Sequence, residues 1–157
     1  MTRAAAFAAL CLVAVAAAAG EPRPFDARSP DAIRKAEAGR PFVLSFWSTT
    51  CEPCRDDIKV LRDAQRRHRG LRVHLVNVDP PGDRAAVRAF LKRYDPGAAT
   101  RWAFADDFGE RVRYAVDPGW RGELPRTYLY DARSNAVVVS GVIDPGALDR
   151  WLASLKR

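Results

Sequence analysis

The chain has 157 residues, of which 48% are hydrophobic and 29% are charged. This length accommodates one domain at about 100–200 residues per domain, and the composition excludes an intrinsically disordered protein. The formal net charge of +7 arises from 22 Arg and four Lys, which are spread from end to end of the chain. Because a nucleic-acid-binding arm would concentrate its cations in one segment, this spread argues against nucleic acid as a partner.

The first twenty residues, MTRAAAFAALCLVAVAAAAG, contain one Arg, a short apolar stretch rich in Ala, and small residues before the first acid. This is the layout of a secretory signal peptide. A membrane anchor is the alternative, but a spanning helix needs about 17–25 strongly apolar residues. We therefore predict a signal peptide over residues 1–20, cleaved near Ala19 or Gly20, and one domain over residues 21–157 in the periplasm. Cleavage removes Cys11.

The first half of the domain begins with a helix and a buried strand. Ser29 offers a helix N-cap in front of a Pro and an acid, which predicts a short helix over residues 30–38. The run PFVLSFWS, residues 41–48, is almost continuously apolar, as in a strand buried on both faces of a sheet. Residues 53–69 carry apolar side chains at helical spacing and stop at Gly70, which predicts an amphipathic helix.

A second strand and helix follow. Residues 71–79 alternate in polarity and are rich in Val, which predicts a strand, and the sequence PPG stops it. Asp83 then caps a predicted helix that runs to about Tyr94. Two strand–helix units in succession require a parallel pair of strands with a right-handed crossover.

The last third predicts an antiparallel edge to the sheet. A short strand is expected over residues 102–105 and a short helix over 107–115. The β-rich segments 127–131 and 136–143 flank turn residues and predict a hairpin, and Asp144 with its following Pro starts the last helix. The fold class is therefore α/β, with a central mixed sheet flanked by helices and a C-terminal hairpin plus helix.

The mature chain keeps two cysteines, Cys51 and Cys54, in a C-x-x-C spacing. As a structural disulfide the pair is weak, because a loop of about four residues contributes only about 2 kcal/mol. A zinc site lacks ligands, since the histidines are His68 and His74 alone and there is no second cysteine pair. The remaining interpretation of the pair is a redox-active dithiol.

The position of the pair at a helix start suits that chemistry. Unpaired backbone N–H groups and the positive end of the helix dipole favour the thiolate of Cys51, which is predicted to be the nucleophile. Cys54 lies one turn into the helix, where it can attack the mixed disulfide that Cys51 forms. We therefore predict that Cys54 is the resolving thiol.

Two segments, FVLSFWSTTCEPC and GELPRTYLYD, together with Gly141 and the last helix, resemble the thioredoxin superfamily. The resemblance is strongest to its exported thiol-disulfide oxidoreductases of the TlpA and ResA type. It implies a thioredoxin-like fold and a monomeric enzyme without a cofactor or bound metal. The expected partners are disulfide-containing exported proteins, with a membrane thiol reductant as one candidate electron donor.

The resemblance also implies that Pro125 is in cis and precedes the antiparallel strand. A proline there leaves the backbone of Leu124 free to pair with an extended substrate beside Cys51. A proline that merely starts a strand is the alternative. Trp47 is a further candidate for substrate contact, although an aromatic residue on a buried strand more often belongs to the core.

Cytoplasmic thioredoxins carry a buried acid six residues before the first cysteine. This sequence has Ser45 at that position instead. Related reductases often carry an acid three residues after the second cysteine, and Asp57 occupies that position. We predict that Asp57 helps Cys54 to lose its proton during resolution. A solvated acid in the first helical turn is the alternative.

The dipeptide between the cysteines, Glu52 and Pro53, is predicted to tune the redox reaction. A carboxylate beside the Cys51 sulfur disfavours its thiolate, which shifts the dithiol in the reducing direction. The sequence thus favours a reductase over an oxidase.

Two other functions use the same cysteines. A binding module for Cu(I) is possible because thiolates are soft ligands, but such a site normally adds a Met or His, and the single Met is the initiator. A thiol peroxidase is disfavoured because its reactive cysteine does not belong to a C-x-x-C pair.

Overall fold

The computed structural model describes residues 21–94, 96–105 and 107–155. The predicted signal peptide lies outside these described residues. The strands are β1 (Arg23–Phe25), β2 (Phe42–Trp47), β3 (Arg72–Asn77), β4 (Thr100–Phe104), β5 (Arg126–Tyr130) and β6 (Ala136–Ser140). The helices are α1 (Ser29–Ala36), α2 (Cys54–Arg67), α3 (Arg84–Tyr94), α4 (Gly109–Val116) and α5 (Pro145–Ser154), with a short 3₁₀ turn at Pro81–Asp83.

The strands form one mixed sheet in the order β1-β4-β3-β2-β5-β6. The first four are mutually parallel, and β5 pairs antiparallel with both β2 and β6. This arrangement confirms the predicted parallel pair, the C-terminal hairpin and the mixed sheet. Because β2 runs parallel to β3 and antiparallel to β5, its carboxyl end lies beside the end of β3 and the start of β5.

The central strand β2 buries side chains on both faces of the sheet, as its continuous apolar sequence predicts. Val43 and Trp47 face a core layer built with α2, α3 and α5. Phe42, Leu44 and Phe46 face a second layer that includes α1 and α4. This alternation follows from the period of two in a strand, and it directs Ser45 toward α2.

Strand β1 was not predicted from the sequence. It has three residues, one of them Pro24, which is too short for a periodic signal. Its position comes from tertiary packing: Phe25 pairs with Phe104 of β4 and is completely buried.

The helix starts follow the expected rules in part. Asp144 caps α5, with its Oδ1 accepting a hydrogen bond from the Ala147 backbone N–H at 2.7 Å. The predicted cap at Ser29 is wrong, because Ser29 is the first residue of α1, Arg28 is the N-cap residue, and the Ser29 backbone N–H donates to the carboxylate of Asp26. Asp83 is the last residue of the preceding 3₁₀ turn and directly precedes α3. Sequence alone could not separate these neighbouring polar residues.

No helix among the described residues is long and apolar enough to cross a membrane.

Candidate active site

The two cysteines form a disulfide where β2 gives way to α2. Pro53 is the N-cap residue of α2, so Cys54 is the first helical residue and Cys51 lies in the loop before it. Cys51 is partly exposed, whereas Cys54 is completely buried. Glu52 and Pro53 are exposed between them. A substrate can therefore reach Cys51 directly but cannot reach Cys54.

The loop between β2 and Cys51 is held by a carboxylate that sequence reasoning missed. Asp79, just after β3, is 7% exposed and accepts three hydrogen bonds. The Ser48 hydroxyl donates to its Oδ1 at 2.5 Å, while the Thr49 backbone N–H and the Asn77 side-chain amide donate to Oδ2 at 2.9 and 2.8 Å. Asp79 thus fixes the segment that carries Cys51.

The ionisation of Asp79 depends on those bonds. Burial alone would raise the pKa of the Asp79 carboxyl, but the hydrogen bonds from Asn77, Ser48 and Thr49 outweigh it and hold the pKa below its ordinary value. The residue is therefore an anion at neutral pH. A signal for it existed in the sequence, because parallel neighbours such as β2 and β3 end at the same edge of the sheet.

Replacing Asp79 with Ala should destabilise the fold by about 3 kcal/mol at pH 7, since two buried donors lose their acceptor at about 1–3 kcal/mol each. The pKa of the folded Asp79 carboxyl is depressed, so its contribution exists above the ordinary pKa and is lost as pH falls through the folded value. Urea denaturation at pH 7 and at about pH 2, below the ordinary carboxyl range, measures both effects. An equal loss in Asp83→Ala, an exposed neighbour, would contradict the assignment.

Asp57 lies on α2, one turn after Cys54, and is 1% exposed. Its Oδ2 accepts a hydrogen bond from the Ser45 hydroxyl at 3.1 Å, and its Oδ1 accepts one from the Ile143 backbone N–H at 2.9 Å. The Thr127 hydroxyl donates to Ser45 Oγ at 2.8 Å. Asp57 is therefore no solvated surface acid, and the serine that replaces the strand acid is its hydrogen-bond donor.

Burial raises the pKa of Asp57, and the hydrogen bonds from Ile143, Ser45 and Thr127 offset this only in part. A carboxylate with an elevated pKa is a stronger proton acceptor than an ordinary one. Asp57 lies on the same helix as Cys54, one turn further along. The neighbouring Asp56 is exposed and forms an ion pair with Lys59 at 2.9 Å.

The peptide bond between Leu124 and Pro125 is cis, as the resemblance implied. Arg126, the next residue, pairs with Phe46 of β2, which brings the start of β5 level with the end of β2. Leu124 is partly buried and packs against both core layers. The loop therefore lies at the same edge of the sheet as Cys51.

A network of charged side chains stabilises this loop through hydrogen bonds. The Arg126 guanidinium donates to Glu123 at 2.6 Å and to Asp117 at 2.7 Å. The Gly141 backbone N–H donates to the Pro125 carbonyl at 2.9 Å. Sequence reasoning missed the network, because its members lie at the end of α4, in the following loop and at the start of β5, where no periodic pattern joins them.

Trp47 does not lie where a substrate could touch it. Its side chain is 1% exposed and stacks on Phe90 of α3, with ring centroids 4.6 Å apart. This corrects the predicted substrate contact. A strand covered by helices on both faces buries its aromatic residues, whatever their distance in sequence from the cysteines.

Among the residues that the structure describes, no group of three or more His, Cys, Asp or Glu side chains is arranged to hold a metal ion. His74 belongs to the core: its Nε2 lies 3.2 Å from Glu37 Oε1, and its Nδ1 accepts a hydrogen bond from the Trp102 indole at 3.1 Å.

The chain is similar to known proteins in sequence and in fold. No family model matches the chain. The chain is 27% identical over 101 residues to the thiol-disulfide oxidoreductase ResA of a Bacillus cereus strain, covering 63% of this chain and 53% of that protein. It is 25% identical over 119 residues to ResA of Bacillus subtilis, covering 75% and 63%. The chain thus spans between half and two thirds of the length of these relatives.

Solved structures show the same fold. A secreted Mycobacterium tuberculosis disulfide oxidoreductase, homologous to E. coli DsbE, superposes with a TM-score of 0.63 at 19% identity, covering 77% of this chain and 86% of that one. A thioredoxin family thiol:disulfide interchange protein of Chlorobium tepidum superposes with a TM-score of 0.59 at 22% identity, covering 78% and 83%. The predicted thioredoxin-like fold is confirmed, and so is the resemblance to ResA-type oxidoreductases.

Proposed function

We propose that this chain is an exported thiol-disulfide oxidoreductase that reduces disulfides of other exported proteins through the Cys51–Cys54 dithiol. The observation that carries the proposal is the disulfide at the start of α2, with one sulfur partly exposed and the other buried. The sequence similarity to ResA proteins supports the same activity. The N-terminal sequence and the likeness to a secreted oxidoreductase support export.

The reaction proceeds in two exchanges. The Cys51 thiolate attacks one sulfur of the substrate disulfide, forming a mixed disulfide and releasing the other substrate sulfur as a thiolate. Cys54 then loses its proton to Asp57 and attacks the Cys51 sulfur. This step closes the Cys51–Cys54 disulfide and releases the second substrate thiolate. Two electrons pass to the substrate, and a thiol donor must reduce the enzyme again.

The edge of the sheet around Cys51 supplies the substrate site in this proposal. The Leu124 backbone beside Pro125 pairs with an extended substrate segment, so that the disulfide lies against the exposed sulfur. The buried Cys54 takes part only after the mixed disulfide has formed. The enzyme acts as a monomer, with a membrane thiol reductant as its candidate donor.

The direction of electron flow is tested by the equilibrium reduction potential of the mature protein against glutathione. We expect a reducing potential, well below the value of about −120 mV that is typical of a strong oxidant. Glu52→His should raise it by about 20 mV at low ionic strength, because removal of a nearby negative charge favours the thiolate by about 1 kcal/mol. Glu110→His, at an exposed acid on α4, serves as the control. A wild-type potential near −120 mV would refute the reductase assignment.

A further inference from the structure

A groove beside the active site has no part in the two exchanges described above. It lies between α2 and α3, has a volume of about 300 Å³, and is lined by Thr49, Arg55, Phe90, Arg93, Tyr94 and two alanines of α3. We call it the α2–α3 groove. Its volume is at the lower end of the range of ligand sites, which suits one or two side chains and no large cofactor.

The groove adjoins the reactive disulfide at two points. Thr49 precedes Cys51 by two residues, and Arg55 directly follows Cys54. Phe90, which stacks on the core residue at the end of β2, anchors α3 on the far side. When a substrate disulfide lies against Cys51, the substrate residues next to that disulfide therefore reach the groove.

The charged residues that line the groove, among those the structure describes, have one sign. Among the described lining residues, the charged ones are Arg55 and Arg93, and both are cations. Their guanidinium carbons lie 5.6 and 5.5 Å from the centroid of the same ring, that of Tyr94. The Arg55 Nε is buried and has no hydrogen-bond partner within the described part of the chain. Both cations thus lie at the same ring, and an anion held in the groove would be attracted by both of them.

We propose that the α2–α3 groove selects substrates in which a carboxylate side chain, Asp or Glu, lies next to the disulfide. The carboxylate pairs with the guanidinium groups of Arg55 and Arg93, and its methylene stem packs on Phe90 and Tyr94. The proposal rests on the proposed oxidoreductase function and adds a substrate class to it.

The test uses three disulfide peptides that are identical except for one residue beside the cysteine, which is Glu, Gln or Lys. Their second-order rates of reduction by the reduced wild-type protein are compared at low ionic strength. We expect the Glu peptide to react about fivefold faster than the Lys peptide, as two partly exposed charge pairs would produce. The ratio should fall toward one at about 1 M salt, where the Debye length is about 3 Å.

Charge reversal provides the matched variants. In the double variant Arg55→Glu with Arg93→Glu the preference should invert, so that the Lys peptide reacts faster. Lys92→Glu changes the charge of an exposed residue on the same helix that does not line the groove, and it should keep the wild-type order. The ratio of rates within one variant cancels any change in the reactivity of Cys51 itself.

A second measurement does not depend on turnover. Peptides with Ser in place of both cysteines are titrated into the ¹⁵N-labelled protein, and the Arg55 Nε–Hε resonance should shift with the Glu peptide only. Equal rates for all three peptides and no selective shift would overturn the groove proposal and leave the oxidoreductase function intact. If dithiothreitol reduces the peptides but the protein does not, the proposed oxidoreductase function fails. The resonance shift alone then shows whether the groove binds a carboxylate side chain.

Discussion

The variant Cys54→Ser is expected to accumulate stable mixed disulfides with its substrates through Cys51, whereas Cys51→Ser is expected to accumulate none. Steady-state turnover should disappear in both variants. The difference between them arises because only Cys51 has exposed surface in the structure, while Cys54 is fully buried beneath it. Without the resolving thiol the adduct persists.

The two variants are compared by non-reducing electrophoresis and mass spectrometry after incubation with a disulfide-bonded peptide. If the substrate is two peptide chains joined by one disulfide, the adduct mass should equal protein plus one of the two chains, and dithiothreitol should remove that chain. The double variant that lacks both cysteines is the control for non-specific association. Equal trapping by the two single variants would show that the assignment of nucleophile and resolving thiol is wrong.

The second large effect is expected for Asp57→Asn, which should slow resolution of the mixed disulfide by about a hundredfold, at the low end of general-base contributions. Its remaining resolution rate should rise with pH, because Cys54 must then lose its proton to solvent. Rapid mixing of the reduced protein with glutathione disulfide separates this unimolecular phase from the initial attack. Asp56→Asn is the matched control, since its carboxylate is exposed and paired with Lys59.

The same variant should be more stable than the wild type at neutral pH, which distinguishes loss of a proton acceptor from damage to the fold. Burial raises the pKa of Asp57, so the folded protein holds this proton at pH values where the unfolded chain has lost it. Wild-type stability therefore falls as pH rises through the folded pKa. Asn can still accept from the Ile143 N–H and donate to the Ser45 hydroxyl, but it carries no charge.

Urea denaturation between pH 4 and pH 8 measures this difference. The stability of Asp57→Asn relative to the wild type should increase with pH across that range. Unchanged resolution kinetics would remove Asp57 from the mechanism. Slow resolution together with a large loss of stability would point to a structural role alone.

The central strand and the redox helix could be predicted from the sequence, because each carries a strong local signal. β2 is apolar along nearly its full length, and α2 starts at a C-x-x-C pair and continues with helical periodicity. The β5–β6 hairpin has turn residues between two Val- and Tyr-rich runs. Such signals are contained within a few consecutive residues, so they can be read without knowledge of the tertiary structure.

The environment of the acids could not be predicted in the same way. Asp56 and Asp57 are neighbours with the same local sequence, yet one is exposed and the other is buried. The difference depends on which face of α2 meets β2 and on the Ile143 N–H, 86 residues away in sequence. Long-range packing of this kind cannot be predicted from a short segment of sequence.

The hydrogen bond from Ile143 to Asp57 also bears on how far the chain can be shortened. Residues 143–155 contain no cysteine, and their apolar side chains Ile143, Leu148 and Leu152 cover the layer of core that holds α2. Removing them would admit water to the carboxylate and delete one of its donors. The C-terminal segment therefore shields the Asp57 carboxylate from water, and its removal would change the surroundings of that carboxylate although it takes away neither cysteine.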